Sequence, residues 1–305
     1  MSVVMNVVTC KDPSSHGQSS TGQSCVIESC RVVSCVRVAE ETVSLTFESV
    51  DISRYAGPGQ FVHVVCGSHV KAPAEAGGRG HSHIPSKRAL LLRRPFSVCS
   101  SDPARGTVDI LFRLVGGGTE WLSGRSPGDK IDVMGPLGVG FSLPQRPGAV
   151  VLAAGGIGVA PLVGWARALV DAGYQVHALV GARTRARLAG VAEIERAGAV
   201  TTACTDDGTR GFKGSVCELI NPVIRKCSPV ALYACGPSAV LRTAQEAARR
   251  LRLFCEVSVE DRLACGIGAC MGCAVPKAVP SSDSAYFRAC SDGPVFNANE
   301  ICIQD

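Results

Sequence analysis

The sequence predicts a multidomain α/β plus β fold, in which an antiparallel β-barrel precedes a parallel α/β domain and a small cysteine-rich module. Three observations support this prediction. Short β-type runs separated by glycine and proline occupy the first half of the chain, strand and helix patterns alternate from Pro147, and four closely spaced cysteines lie near the C-terminus. A chain of 305 residues that is 46% apolar can bury a sizeable hydrophobic core.

Changes in composition and hydrophobic pattern divide the chain into four segments. We expect a disordered tail over residues 1–24, a barrel over 25–146, an α/β domain over 147–253 and the cysteine-rich module over 254–305. The tail contains a polar run of Ser, Gly and Gln, and it has neither the positive nor the apolar region of a secretion signal. Sixteen cysteines without an export signal indicate reduced thiols, so we expect a cytoplasmic protein.

The composition argues against two classes of partner. The net charge is only +5, no block of Lys or Arg stands out and 5% of the residues are aromatic, so we expect no nucleic acid partner. Residues 148–166 are uncharged and long enough to span a bilayer, but Pro161 and several glycines divide them into a short strand, a turn and a helix. We therefore expect no membrane insertion.

The barrel is predicted from four β-type runs that are separated by glycine and proline turns. These runs are residues 32–38, 42–47, 60–65 and 108–114. A polar segment over residues 67–87 interrupts them and has the composition of a solvated loop. Its three histidines match no defined metal-site spacing, so we expect no metal there. They are His69, His81 and His83.

Two motifs in the barrel segment are candidates for ligand binding. The first is Arg94-Pro95-Phe96-Ser97, which places a planar cation, an aromatic ring and a hydroxyl close together. The arginine fork matches phosphate oxygens, and the ring can lie against a flat isoalloxazine. A strand whose arginine makes a surface ion pair explains the same residues equally well, so both interpretations stay open.

The second motif is the run Gly116-Gly117-Gly118-Thr119, which follows the β-type run that ends near residue 114. A glycine-rich turn at the end of a strand can leave backbone N–H groups free to bind an anion. An ordinary hairpin turn explains three glycines nearly as well. The motif by itself therefore does not decide between an anion site and a turn.

The α/β segment contains two turns at the carboxyl ends of predicted buried strands. The run Gly155-Gly156-Ile157-Gly158 opens a predicted helix, and Cys235-Gly236-Pro237 follows a later strand. Open parallel sheets bind nucleotides at this edge, although the first run is not the G-x-G-x-x-G fingerprint. Plain structural turns are the alternative for both. The predicted strands cover residues 150–153, 175–180 and 231–234, and the helix covers 162–172.

The most informative motif is the cysteine set near the C-terminus, in which Cys265, Cys270, Cys273 and Cys290 are separated by four, two and sixteen residues. The glycines between the first three cysteines let the backbone wrap closely around a compact object. The opening spacing is that of plant-type [2Fe-2S] ferredoxins. A structural zinc site is the alternative, but zinc cages usually pair their cysteines in two short knuckles. The spacing therefore favours a [2Fe-2S] cluster.

Taken in order, these motifs resemble those of the ferredoxin reductase superfamily. The shared order is Arg94-Pro95-Phe96-Ser97, Gly118-Thr119, Gly135-Pro136-Leu137-Gly138, the Gly155 turn, the Cys235 turn and the four-cysteine loop. Within the superfamily, the cysteine spacing is similar to that of the electron-transfer subunits of class 1B, NAD-dependent, dihydroorotate dehydrogenases. The resemblance covers residues 26–303, and the tail and the polar insertion are extra to it.

The resemblance implies three cofactor sites. Arg94 would face the FAD pyrophosphate, Ser97 would lie near the flavin edge, and the nicotinamide of NAD would lie against the flavin. The residues implied for FAD are Arg94, Pro95, Phe96, Ser97, Leu111, Phe112, Arg113, Gly118 and Thr119. Those implied for NAD are Gly155, Gly156, Gly158, Cys235, Gly236 and Pro237, and the cluster ligands are Cys265, Cys270, Cys273 and Cys290.

The resemblance also implies the reaction and the partner. The chain would pass electrons from the FMN of a separate dihydroorotate dehydrogenase catalytic subunit through the [2Fe-2S] cluster and FAD to NAD+, in pyrimidine biosynthesis, within a heterotetramer. It would contain no dihydroorotate site and no catalytic residue of its own. Two alternatives stay open: the flavin subunit of a sulfhydrogenase or a ferredoxin:NADP oxidoreductase, and a zinc-stapled binding protein whose glycine loops are only turns.

The sequence leaves the choice between NAD and NADP open. Arg183, Arg185 and Arg187 follow the strand that ends near Gly181, where a ribose 2′-phosphate would be bound. A solvated helix start explains the same three arginines without any ligand. We favour this second interpretation.

Overall fold

The computed structural model describes residues 3–6, 24–67, 92–282 and 284–303. Its helices are α1 (Val50–Tyr55), α2 (Gly117–Ser123), α3 (Ala160–Asp171), α4 (Val191–Arg196), α5 (Val216–Cys227) and α6 (Ser238–Leu251), with 3₁₀ turns at Gly156–Val159 and Arg185–Arg187. Its strands are β1 (Val3–Asn6), β2 (Ser24–Ala39), β3 (Thr42–Glu48), β4 (Phe61–Val64), β5 (Arg94–Asp102), β6 (Thr107–Arg113), β7 (Lys130–Leu137), β8 (Ala149–Gly155), β9 (Gln175–Ala182), β10 (Val200–Thr205), β11 (Phe212–Lys213), β12 (Ala231–Cys235), β13 (Phe254–Ser258), β14 (Ala274–Pro276), β15 (Tyr286–Arg288) and β16 (Val295–Asn297).

Six antiparallel strands close the predicted barrel in the order β2-β3-β6-β5-β4-β7, and β7 pairs again with β2. Strand alternation turns one set of apolar side chains inward, where Leu45, Phe47 and Ile110 are fully buried. Helix α1 packs against this core through Ile52, and the Ser49 hydroxyl caps the helix by accepting the Ile52 N–H at 2.9 Å. The prediction of an antiparallel β-barrel is confirmed.

The N-terminal segment differs from the expectation in one respect. Residues 3–6 form strand β1, which pairs antiparallel with the start of β2. The disordered tail that we expected over residues 1–24 is therefore wrong for these four residues, because the long strand β2 offers them an edge to hydrogen-bond. Residues 7–23 and 68–87, with His69, His81 and His83, lie outside the described residues.

The second sheet has the order β11-β10-β9-β8-β12-β13-β16, and its strands run parallel except for the antiparallel β16 at one edge. Helices cover both of its faces. On β8, Val150 and Leu152 join the core under α3 and α4, whereas Val151 and Ala153 join the core under α5 and α6. A parallel sheet is buried on both faces in this way. The predicted parallel α/β layout is confirmed.

This sheet continues past residue 253, where we expected the α/β domain to end. Strand β13 pairs parallel with β12, and β16 returns from the cysteine-rich module to pair with β13. The sequence becomes rich in cysteine here, but Cys255 and Val257 are still more buried than Phe254 and Glu256, as in a strand. The module is joined to α6 as well, since the Gln245 side chain donates to the buried Ile301 carbonyl at 3.0 Å. It therefore shares a core with the sheet.

Helix α3 joins the barrel to the sheet. Gly164 approaches β5 so closely that a Cβ on this residue would lie 2.7 Å from the Cys99 carbonyl oxygen. The uncharged residues 148–166 form β8, the first 3₁₀ turn and the start of α3. Within the described ranges, no helix combines the length and apolarity needed to cross a bilayer.

Candidate functional site

A cleft of about 540 Å³ lies where the barrel, the sheet and the cysteine-rich module meet. Strands β5 and β6 form one wall, the turn into α2 forms a second, and Cys235 lies at the sheet edge. All the residues that the resemblance implies for FAD line this cleft, although they come from three separate segments. They are Arg94, Pro95, Phe96, Ser97, Leu111, Phe112, Arg113, Gly118 and Thr119.

Arg94 packs directly over Gly118. A Cβ on Gly118 would lie 3.5 Å from the Nε atom of Arg94, so the small residue leaves room for the guanidinium. The Nη1 atom donates to the Leu92 carbonyl at 2.7 Å, which holds the side chain in place. Nη1 also donates to the Arg93 carbonyl at 3.4 Å, whereas Nε and Nη2 donate to no residue that the structure describes, and an anionic group in the cleft can accept from these two atoms.

Strand alternation gives the neighbouring residues of β5 two different roles. The ring of Phe96 is buried in the barrel core, with its centroid 5.3 Å from that of Phe112. Pro95 and Ser97 lie on the opposite face of the strand and are only half-buried. This departs from the expectation that the Phe96 ring lies against a flavin. Ser97 keeps a hydroxyl at the cleft wall.

The glycine turn before α2 is organised by Thr119. The Thr119 hydroxyl accepts the N–H groups of Val115 and Gly116 at 2.9 and 3.2 Å, and it donates to the Gly116 carbonyl at 2.9 Å. The Val115 and Gly116 N–H groups are therefore not free to bind an anion, because a threonine hydroxyl lies within reach. Nothing lies within 4 Å of where a Cβ of Gly116 or Gly117 would stand, so this side of the turn is open.

A second cavity, of about 320 Å³, adjoins the first at the carboxyl edge of the sheet. Gly155, Gly156 and Pro237 line it, while Arg113 lines both cavities. Gly156 has a φ of 55°, a conformation that favours glycine, and a Cβ there would have no neighbour within 4 Å. Two of the turns implied for NAD therefore meet at one place, next to the candidate FAD cleft.

The hairpin between β2 and β3 reaches over this second cavity. Arg187 makes ion pairs with Glu40 at 3.2 Å and with Glu41 at 3.1 Å, and the Glu40 N–H donates to the Ala186 carbonyl at 2.7 Å. Of the arginines considered for a 2′-phosphate, Arg187 is thus already neutralised by two carboxylates. Arg183 lines the same cavity.

The four predicted cluster ligands lie in one loop region and approach one another in two pairs. The Cys273 and Cys290 sulfurs are 3.3 Å apart, and the Cys270 thiol hydrogen-bonds to Cys265. Within the described part of the chain, no group of three or more His, Cys, Asp or Glu side chains is arranged to hold a single metal ion. Two pairs of thiols fit a two-iron cluster, in which each iron takes two cysteines.

The electrostatics of the loop differ between the two pairs. Burial raises the pKa of Cys265, but the N–H groups of the loop that follows it and the Cys270 thiol outweigh this and lower the pKa to about 7. Burial and the neighbouring Cys273 thiol raise the pKa of Cys290 to about 12, although the Gly268 N–H donates to its sulfur at 3.1 Å. Cys265 offers a thiolate near neutral pH, whereas Cys290 ionises only when a bound cation compensates its charge.

Comparison with known proteins decides the family. A family profile described as the iron-sulfur cluster binding domain of dihydroorotate dehydrogenase B matches residues 260–302. The dihydroorotate dehydrogenase B (NAD(+)) electron transfer subunit of Desulforamulus reducens is 38% identical over 264 residues, which are 87% of this chain and 94% of that protein. This chain belongs to the family of dihydroorotate dehydrogenase B electron transfer subunits. The family member from Geobacillus thermodenitrificans is also 38% identical, over 87% of this chain and 95% of its own length.

Solved structures confirm the architecture that this family assignment implies. The NADH-dependent reduced ferredoxin-NADP oxidoreductase structure has a TM-score of 0.75 at 29% identity and covers 90% of both chains. The ferredoxin reductase of carbazole 1,9a-dioxygenase shares the fold alone, with a TM-score of 0.57 at 19% identity over 75% of this chain and 65% of that one. The expected resemblance to ferredoxin reductases, and to dihydroorotate dehydrogenase B electron transfer subunits within them, is confirmed.

Sequence reasoning missed several residues of the site in this family member. Glu260 lines the larger cleft, where burial raises the pKa of its carboxyl against the opposing effect of Arg113. Glu40 and Glu41 enter the smaller cavity from a distant hairpin. His63 is fully buried beside the cysteine loop. Only His63 leaves a signal in the sequence, as a single polar residue within an apolar strand.

Proposed function

We propose that this chain is the FAD and iron-sulfur subunit of an NAD-dependent dihydroorotate dehydrogenase. It passes electrons from the FMN of a catalytic partner subunit through a [2Fe-2S] cluster and FAD to NAD+, in pyrimidine biosynthesis, and it has no dihydroorotate site of its own. The observation that carries the proposal is the adjacency of the two cavities, which share Arg113 and Ile157, together with Glu260 and Leu263 of the cysteine-rich module in the lining of the larger one. FAD exchanges a hydride with nicotinamide and single electrons with an iron-sulfur cluster.

The residues of the larger cleft have complementary roles in holding FAD in this proposal. Arg94 binds the pyrophosphate through Nε and Nη2, since Nη1 donates to the Leu92 and Arg93 carbonyls. Ser97 provides a hydroxyl at the polar edge of the flavin, and the turn at Gly118 and Thr119 lies beneath the Arg94 guanidinium. The buried strand core, which includes Phe96, keeps this wall rigid.

The smaller cavity binds NAD in this proposal. The open backbone at Gly156 would lie against the pyrophosphate, and Pro237 lines the same cavity. Cys235 lies at the larger cleft with its thiol buried, and burial raises the pKa of that thiol, so it stays protonated. A neutral thiol there adds no charge next to the nicotinamide.

The cysteine loop connects the protein surface with the cleft. Cys270 and Met271 are exposed at its outer end, whereas Cys273 and Cys290 are buried in the core shared with the sheet. We propose that the catalytic subunit docks on the outer end. An electron that enters there needs to cross only the cluster to reach the buried end. Since the cluster needs thiolates rather than disulfides, the reducing cytoplasm is the compartment that we propose.

Anaerobic purification tests the proposal. The expected protein carries FAD, two irons and an EPR signal after reduction, and with the catalytic subunit it reduces NAD+ when dihydroorotate is added. Cys270→Ser should abolish this activity and Cys302→Ser should not, although both thiols are exposed. A protein that contains zinc and no flavin contradicts the proposal. A protein that instead transfers electrons between ferredoxin and NADP identifies the oxidoreductase alternative.

A further inference from the structure

His63 is a fully buried residue of β4 that lies between the candidate FAD cleft and the cysteine loop. Its ring is 5.7 Å from that of Phe61, in an edge-on arrangement, and Phe61 lines the cleft. In the strand register, His63 stands opposite Pro95 of β5, which lines the candidate FAD cleft. One side of its surroundings is therefore the wall of the flavin site.

The other side of the His63 ring faces the cysteine loop. A Cβ on Gly266 would lie 2.6 Å from Nδ1 of His63 and 2.7 Å from Cε1, so the Nδ1 edge is turned toward this glycine. Gly266 follows Cys265 directly and has a φ of 75°. Both its backbone conformation and the close approach of the imidazole require glycine at this position.

Neither ring nitrogen of His63 has a hydrogen-bond partner among the described residues, although both are buried. Buried polar groups in native proteins nearly always have partners, and exceptions occur where a cofactor or ligand takes part. Burial, with Arg93 and Arg94 nearby, lowers the pKa of His63 to about 4, so the ring is neutral and carries one N–H. This N–H is available to a group at the loop.

We propose that His63 donates its Nδ1–H toward the sulfur atoms of the [2Fe-2S] cluster held by this loop, and thereby raises the reduction potential of the cluster. The reduced cluster is the more negative form, so a hydrogen bond to sulfur stabilises it. The proposal rests on the proposed function, in which the four cysteines hold the cluster. Two pairs of thiols beside an unpaired buried donor fit such a cluster.

Two variants of nearly equal shape test this role in the purified full-length protein. His63→Asn keeps an amide N–H near the position of Nδ1, and His63→Leu has no donor. An EPR-monitored redox titration should give the cluster of the Leu variant a reduction potential about 59 mV lower than that of the wild type. This shift corresponds to an about tenfold less favourable reduction equilibrium for a one-electron couple. The Asn variant should stay close to the wild type. Equal potentials in all three proteins, or equal shifts in both variants, overturn the proposal.

A measurement on the unmodified chain covers the case in which a variant does not fold. Pulsed EPR of the reduced wild-type protein, labelled with ¹⁵N-histidine, should detect a weak nitrogen coupling to the cluster. The coupling should persist in His177→Gln, because His177 lies on β9 of the other sheet. A cluster with no histidine coupling overturns the role of His63, whereas a wild-type protein without iron contradicts the proposed function itself.

Discussion

The α-carbon of Gly158 lies directly against the peptide bond that joins Cys235 to Gly236. A Cβ on Gly158 would stand 2.5 Å from the Gly236 nitrogen and still closer to the Cys235 carbonyl. This contact holds the turn after β8 against the turn after β12. Since the two turns form one edge of the candidate NAD site, the absence of a side chain at Gly158 is what lets them meet.

Gly158→Ala should therefore disrupt the nucleotide site and weaken the fold. The added methyl meets backbone that cannot move aside, and overpacking of this kind costs about 1–3 kcal/mol of unfolding free energy. Urea unfolding and NAD binding measure the two effects. Gly124→Ala is the matched control, because a Cβ there would be 3.6 Å from its nearest neighbour, and its unfolding free energy should change by less than about 0.5 kcal/mol. Equal effects of the two changes contradict the prediction.

Substitutions of the adjacent residues Arg93 and Arg94 should have different effects on FAD binding and on stability. Arg94→Ala should weaken FAD binding about 10- to 100-fold, because a hydrogen bond to a charged group contributes roughly 1.5–3 kcal/mol. Arg93 instead forms an ion pair with Asp132 at 2.7 Å and donates to the His63 carbonyl at 3.3 Å. Arg93→Ala should lower the unfolding free energy but leave FAD affinity nearly unchanged. Fluorescence titration of the apoprotein with FAD tests both, and a reversed order contradicts the assignment of Arg94.

The ion pairs of Arg187 should favour NAD over NADP. Glu40 and Glu41 neutralise this arginine and add negative charge to the smaller cavity, which opposes a 2′-phosphate. The double change Glu40→Gln with Glu41→Gln should raise kcat/KM for NADP+ relative to NAD+ about tenfold, or about 1.4 kcal/mol. Glu48→Gln is the control, since Glu48 pairs with Arg31 on the exposed barrel surface. An unchanged preference in the double variant argues against this role.

Glu256 should make stability depend on pH in a defined direction. Burial raises the pKa of its carboxyl, although the Ser142 N–H and hydroxyl donate to it at 2.9 and 2.5 Å and oppose the increase. The native state then keeps a proton that the unfolded state has lost, so this contribution to stability is complete below the unfolded pKa and declines as pH rises through the native pKa. The unfolding free energy of the wild type should therefore fall, relative to Glu256→Gln, as the pH rises from about 4, where an ordinary Glu carboxyl begins to ionise. Urea titrations across this range measure the difference, and a constant difference contradicts the prediction.

Patterns among neighbouring residues were sufficient to predict most of the architecture. Short β-type runs between glycine and proline turns predicted the barrel strands, and short apolar runs predicted the buried strands β8, β9 and β12, because these patterns lie in consecutive positions. The expected end of the α/β domain at residue 253 left out strand β13. A short strand such as β13 in a cysteine-rich stretch has too little local pattern to reveal which sheet it joins.

The sequence by itself determined which chemical groups this protein has and which family it resembles. The spacing from Cys265 to Cys290, the Arg94 motif and the glycine turns are short-range features, and each can be identified without knowing the fold. Only the tertiary structure decided which of these groups meet. Arg94 lies over Gly118, and His63 lies against Gly266, because barrel closure and shared cores join segments that are far apart in the chain. Such contacts depend on packing between distant residues, which leaves no signature in either segment alone.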